Sequence, residues 1–146
     1  MIIYLVGISC VGKTTIGKLL AKKIGYTFFD LDEEIEIFYK KPIEKIQNEC
    51  FTMNGYREKA SVVLDFLFSK NIDSVISGTP SGLKFAFLRA YKKHKADKDL
   101  YSIHIYDSFE NILKRLTFYD KDSNLMKLKL DDTPAWFLKP GWCIRI

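Results

Sequence analysis

The sequence predicts an α/β fold in three layers, with a central parallel sheet between helices. Two observations carry this. Short apolar runs rich in β-branched and aromatic residues alternate with stretches of helical spacing. That alternation is the signature of strands joined in parallel by crossover helices. The first such run, residues 1–6, also leads straight into Gly7-Ile8-Ser9-Cys10-Val11-Gly12-Lys13-Thr14-Thr15, which fits G-x-x-x-x-G-K-[ST] between a strand and a helix. The expected fold is therefore the P-loop nucleotide-binding architecture.

The elements follow in order. Residues 14–23 read as a helix, with Ile16, Leu19, Leu20 and Ile24 three to four apart on an apolar face and Gly25 as its stop. Residues 26–29 read as a second strand that ends in Asp30-Leu31-Asp32. Residues 33–39 are helical, with Ile35, Phe38 and Tyr39 facing inward. Pro42 starts a short helix over residues 43–46. A longer helix spans residues 52–69, its apolar face made of Tyr56, Ala60, Val63, Leu64, Leu67 and Phe68. Residues 73–77 form the third strand, and the turn-rich Gly78-Thr79-Pro80-Ser81-Gly82 follows it. Residues 83–95 look helical, residues 101–106 alternate as a fourth strand, and Ser108 caps a helix over residues 109–116. Residues 119–124 are polar, and residues 131–146 hold Pro134, Pro140 and Gly141, which argue against a long helix there.

The chain has 146 residues, 47% hydrophobic and 28% charged, which suits one globular domain, residues 1–146, with a sizeable core. No apolar stretch approaches the roughly 20 residues needed to span a bilayer, and no signal segment is evident. Cytoplasm is the expected location, and a monomer or weak homo-oligomer the expected state. A net charge of +5 mildly favours anionic ligands. The lysines at 92, 93, 95 and 98 read as a solvated helix end rather than a nucleic-acid site, because no stacking aromatics or nucleic-acid motif accompany them. Cys10, Cys50 and Cys143 match no metal or redox spacing. Cys10 sits in the phosphate loop, where a redox role competes with plain loop filling.

The chemistry expected of the loop follows from its residue types. Gly7 and Gly12 allow close approaches and backbone angles that a side chain would block. The amides of residues 7–15, Ser9, Cys10, Val11 and Thr15 among them, then surround phosphate at a helix N-terminus. Lys13 reaches the outer phosphates, and the Thr14 hydroxyl ligates Mg²⁺. Parallel-sheet ligands bind at the C-terminal ends of strands, which gathers the loop, Asp30 to Asp32 and Gly78 to Ser81 at one place. Two residues apart on an extended chain, Asp30 and Asp32 point to opposite sides. One faces the metal shell, and the other an acceptor hydroxyl whose proton it takes. The alternative is that Asp32 merely caps the helix beginning at Glu33.

The loop, the phrase Gly17-Lys18-Leu19-Leu20-Ala21-Lys22-Lys23-Ile24-Gly25-Tyr26, the Phe29-Asp30-Leu31-Asp32 pair, Pro42-Ile43-Glu44-Lys45-Ile46 and Tyr56-Arg57-Glu58 together resemble the shikimate kinase family of small-metabolite kinases. The likeness is close over residues 2–60, looser to about 115 and poor beyond. It implies ATP and Mg²⁺ as cofactors and phosphoryl transfer to a small, carboxylated acceptor. It implies Lys13 and Asp32 as catalytic, with Gly7, Ser9, Cys10, Val11, Gly12, Thr14 and Thr15 on the nucleotide and Asp30 near the metal through water. Arg115 falls where the family sets an arginine against adenine, although a helix-end cation is an equal reading. Asp32, Arg57, Gly78 and Thr79 would hold the acceptor, Arg57 by pairing its planar fork with a carboxylate. An exposed helix arginine is the other reading of Arg57.

Three departures stand beside the likeness. The family's three glycines after the third strand are Gly78-Thr79-Pro80 here; Gly78 keeps an N–H for the γ-phosphate, and Pro80 has none. The lid region, about residues 117–130, has Lys121 in place of the family's arginine, and no arginine occurs between Arg115 and Arg145. The tail, residues 131–146, is atypical, with Trp136, Phe137 and Trp142 closing the core or facing a partner. These departures motivate a second expectation, a degenerate nucleotide-binding regulatory protein without efficient transfer.

Overall fold

The computed structural model describes residues 1–115 and two short strands beyond them. The lid apart from those strands, the tail with its tryptophans, Lys121 and Arg145 lie outside the described residues. The elements are β1 (Ile2–Val6), α1 (Lys13–Ile24), β2 (Thr27–Asp30), α2 (Leu31–Tyr39), α3 (Ile43–Asn48), α4 (Met53–Ser69), β3 (Ser74–Ser77), α5 (Ala86–Lys95), β4 (Leu100–His104), α6 (Phe109–Leu113), β5 (Phe118–Tyr119) and β6 (Leu125–Met126). The first four strands form one parallel sheet in the order β2-β3-β1-β4. β5 and β6 pair antiparallel as a separate ribbon.

Strand periodicity divides the core into two. Ile2, Tyr4 and Ile76 face a large cluster with Leu31, Ile35, Ala60, Leu64 and Phe68, so α2, α4 and α5 pack on that side. Ile3, Leu5 and Val75 face the opposite side, against Ala21 of α1 and the partly buried Phe28 and Leu20. The expected apolar face of α4 is the buried one, all six residues of it. Thr52 caps that helix by accepting from the Gly55 amide at 3.1 Å.

α1 corrects the sequence reading. Its buried stripe is Lys13, Gly17 and Ala21, four apart, while Ile16, Leu19 and Ile24 are exposed. The reason is distance. A Cβ on Gly17 would lie 2.6 Å from the Phe28 ring and 3.1 Å from Leu5 Cδ1. The helix sits so close to the sheet that only small residues fit beneath it, and the branched residues turn outward.

α2 is a second correction. It begins at Leu31, not Glu33, and Asp30 is its cap, accepting from the Asp32 amide at 3.1 Å. Asp32 therefore lies in the first helical turn, and neither the opposed-sides geometry nor the capping role read for it holds. Phe38 is about half exposed, edge-on to Tyr39. α5 starts three residues later than the periodicity suggested. Gly82 has a left-handed φ of 56°, and the turns Gly82 N–H to Thr79 O and Lys84 N–H to Ser81 O occupy the intervening chain. The alternation of β4 is not matched by burial: only Leu100 is buried, because β4 is the outer strand on its side of the described sheet.

Two glycines on helices should respond oppositely to alanine. Gly17→Ala should lower stability by about 1–2 kcal/mol, because overpacking against Leu5 and Phe28 exceeds the gain in helix propensity. Gly55→Ala meets nothing closer than 3.7 Å and should raise stability by up to about 1 kcal/mol. Urea unfolding midpoints of the two variants check both signs.

Candidate active site

The C-terminal ends of β1, β2 and β3 open onto one cleft of about 840 Å³. The loop after β1 forms its floor. Gly12 has a φ of 97°, and Cys10 adopts a left-handed φ of 57° without being glycine. At Gly7 a side chain would meet the Ile105 carbonyl oxygen at 2.5 Å, so the loop passes against the chain that follows β4. Lys13 is buried and turned back on its own loop, its Nζ donating to Gly7 O at 3.0 Å and Ile8 O at 2.8 Å. Burial lowers its pKa from the usual lysine value, and the carboxylates of Asp32 and Asp30 and the Cys10 thiol oppose that shift. The ammonium, largely removed from water, is compensated by those two carbonyls.

Thr14 and Asp30, the residues expected near a metal, lie against each other. Thr14 Oγ1 donates to Asp30 Oδ2 at 2.7 Å and lies 3.4 Å from Ser77 Oγ at the end of β3. Because the hydroxyl hydrogen goes to Asp30, the Thr14 oxygen keeps a lone pair for a cation. Three hard oxygens at one point suit Mg²⁺, which takes few protein ligands and draws the rest from water and phosphate. Among the described residues no cluster of three or more His, Cys, Asp or Glu forms a metal cage, which accords with so sparse a donor set.

Asp32 lines the cleft beside Glu33 and Glu36, which the sequence reading did not single out. Glu36 Oε1 accepts from the Ile43 amide at 2.9 Å and so ties α2 to the start of α3. Tyr4, fully buried in β1, has its hydroxyl pKa raised by burial first and by Asp32 second. Arg57 lines the far wall, with Nε donating to Ser81 Oγ at 3.1 Å and Nη1 to Asn54 Oδ1 at 2.8 Å. Lys84, also missed, lines the cleft too. The signal for Lys84, Ser81 and Asn54 was only their proximity to recognised motifs, since polar residues on a turn carry no period.

Gly78 corrects a specific expectation. Its N–H donates to Leu5 O at 2.9 Å, so it extends the β3–β1 ladder and is not free for a phosphate, although Gly78 itself lines the cleft. Glycine is required there by Tyr4, whose hydroxyl would lie 2.7 Å from any Cβ. The Thr79 hydroxyl is buried without a hydrogen-bond partner, an uncommon state for a polar group. Gly7 and Val11 do not line the cleft: the Gly7 carbonyl is bonded to Lys13, and Val11 is buried. Ser9, Cys10, Gly12, Thr14, Thr15 and Thr79 do line it. Arg115, just past α6, lines the cleft and is ion-paired with Asp107, while its carbonyl accepts from Cys10 Sγ at 3.3 Å. Asn111 and then Arg115 hold the Asp107 carboxyl below its ordinary pKa. No helix among the described residues is long and apolar enough to cross a membrane.

Comparison with known proteins gives a consistent answer. The family model described as shikimate kinase matches residues 9–134. A shikimate kinase of Persephonella marina is 43% identical over 70 residues, 48% of this chain and 43% of that protein. The chain spans less than half the length of the curated relatives it matches. Shikimate kinase from Acinetobacter baumannii, solved in complex with shikimate, superposes with a TM-score of 0.66 at 30% identity, over 78% of this chain and 60% of that one. The Aquifex aeolicus enzyme gives 0.65 at 28% identity, over 90% and 74%. The phosphate loop, the parallel sheet and the family match over most of the sequence agree, and the chain belongs to the shikimate kinase family.

Proposed function

We propose that the chain is an ATP-dependent kinase of a small hydroxylated acceptor, most simply one that carries a carboxylate. One observation carries the reading: Lys13, the Thr14–Asp30 pair, Asp32 and Arg57 all line a single cleft. The nucleotide lies along the loop, with the amides at the start of α1 and Lys13 on its phosphates. Bound Mg²⁺ would neutralise charge on the outer phosphates, held through Thr14 and, by way of water, Asp30. Arg57 fixes the acceptor by its anionic end, which turns a hydroxyl toward Asp32. The hydroxyl oxygen forms a bond to the γ-phosphorus as the bond from that phosphorus to the β–γ bridging oxygen breaks. The hydroxyl proton passes to the Asp32 carboxylate, and ADP leaves with the bridging electrons.

A second reading, nucleotide binding without efficient transfer, has its own observation. The Gly78 amide is committed to Leu5, and Pro80 has none, so the turn after β3 offers the acceptor side fewer amide donors than the family's glycines do. Calorimetry with Mg-ATP distinguishes the two, since binding with no acceptor-dependent turnover supports only the second.

ADP release should appear with shikimate, gluconate or a related polyol acid and vanish in Lys13→Ala. Were no acceptor to raise ADP above that variant, the kinase reading would be lost. Asp32→Asn should lower kcat about 10²- to 10⁴-fold with Mg-ATP affinity unchanged, as for loss of a general base. Thr14→Ala and Asp30→Asn should each raise the Mg²⁺ requirement about tenfold. Because the two groups share a hydrogen bond, their double mutant should fall short of the product of the singles, with a coupling of about 0.5–3 kcal/mol in a cycle built on Mg²⁺ titrations.

A further inference from the structure

We propose that Asn54, Ser81 and Phe85 are positioning residues that hold the Arg57 guanidinium fixed before a ligand arrives, with its remaining donors left for an anionic group of the acceptor. The nature of that acceptor rests on the kinase reading above; the clamp itself does not. Arg57 stands on α4, and its three holders come from two elements. Asn54, one helical turn earlier, accepts from Nη1 at 2.8 Å. Ser81 accepts from Nε at 3.1 Å. The guanidinium carbon lies 5.1 Å from the centre of the Phe85 ring, within cation–π range.

All three holders are neutral. Among the described residues Arg57 forms no ion pair, and the neighbouring Glu58 is bonded to Arg89 at 2.5 and 2.6 Å. The guanidinium thus keeps its full charge while two of its five N–H donors are used. Orientation comes from groups that do not compete for the charge, which suits a site awaiting an anion.

The backbone of the turn after β3 gives a second, independent sign. Phe85 has φ 51° and ψ −120°, a combination that a bulky residue rarely adopts. The residue is more than half exposed, so burial does not compensate for the strain. Strain of this kind persists where the surroundings over-determine it, and it gathers at binding sites. Gly82 at φ 56°, with its N–H on Thr79 O, shapes the turn that brings both Ser81 and Phe85 to Arg57. The turn that replaces an amide-rich glycine stretch therefore acts through an arginine on another helix.

The test has two arms. In protein labelled with ¹⁵N-arginine, the Arg57 Nε–Hε signal, assigned by its loss in Arg57→Lys, should exchange slowly with solvent in the ligand-free protein. Ser81→Ala should speed that exchange about tenfold or more, Phe85→Leu less so, and Ser81→Thr should restore it. Exchange of the wild-type signal as fast as in the urea-unfolded chain would overturn the clamp, whatever the protein phosphorylates. In the second arm, with shikimate as the probe acceptor, Ser81→Ala should raise its KM about tenfold, leaving kcat and the Mg-ATP KM within about twofold. An unchanged KM in Ser81→Ala overturns the positioning role. Absence of wild-type turnover with shikimate counts against the kinase reading, and the exchange arm still decides the clamp.

Discussion

The hydrogen bond between Thr14 and Asp30 is the interaction on which the site depends. Asp30 is the last residue of β2 and the cap of α2, and its two oxygens are divided between two tasks. One accepts from the Thr14 hydroxyl at the start of α1, the other from the Asp32 amide at the start of α2. A single carboxylate thereby fixes the phosphate loop, the metal-side hydroxyl and the carboxylate proposed as base in one frame. Because Asp30 is in register with Ser77 across the β2–β3 pair, the sheet itself sets that frame. The positions of Thr14 and Asp32 follow from a capping geometry and a strand register, both of which are stiff.

Close approach is the complementary constraint. α1 reaches its place over the sheet only because Gly17 has no side chain to meet Phe28 and Leu5. The turn after β3 reaches its place only because Gly78 has none to meet Tyr4. Tyr4 is the post around which that turn is built: its ring packs edge-on against Phe68 at 5.4 Å, and its hydroxyl points at the Gly82 carbonyl. With the Gly78 amide drawn into the ladder, the chain from Thr79 to Phe85 turns toward α4, where Ser81 and Phe85 meet Arg57.

Sequence reading succeeded where a residue type has one physical use. The motif's glycines, lysine and threonine follow one another between β1 and α1, the strand-to-helix setting expected of it. The apolar face of α4 and the start of α3 after Pro42 were legible because period and fixed φ each point one way. It failed where proximity to another element decides. Ile16 and Leu19 have the spacing of a buried face, yet the sheet is too near for them, and Gly17 and Ala21 take the contact. Asp32 shifted from strand to helix because Asp30 is the better cap, an outcome that depends on which aspartate the ladder leaves at its end. The partner of the Gly78 amide lies across the sheet, and Ser81 and Phe85, which meet Arg57, lie on another element, beyond any local window.

The cleft is lined by charges of both signs, carried by different elements. Asp32, Glu33 and Glu36 lie on α2, while Arg57 and Lys84 lie on α4 and the turn after β3. Within a cleft, facing charges act through a medium less polar than bulk water and orient a small dipolar ligand before it touches the walls. A ligand with an anionic end and hydroxyls elsewhere would align its anion with Arg57 and its hydroxyls with the carboxylates. On the kinase reading proposed above, Lys13 and the α1 N-terminus would supply a third direction by attracting the phosphates of a nucleotide. The three attractions do not compete: each draws a different group, and the fixed frame around Asp30 makes their directions converge. A second cation lining the cleft would matter on that reading, because the chain has no arginine between Arg115 and Arg145. Lys84, a flexible point charge, supplies attraction there, and the clamped fork of Arg57 supplies direction.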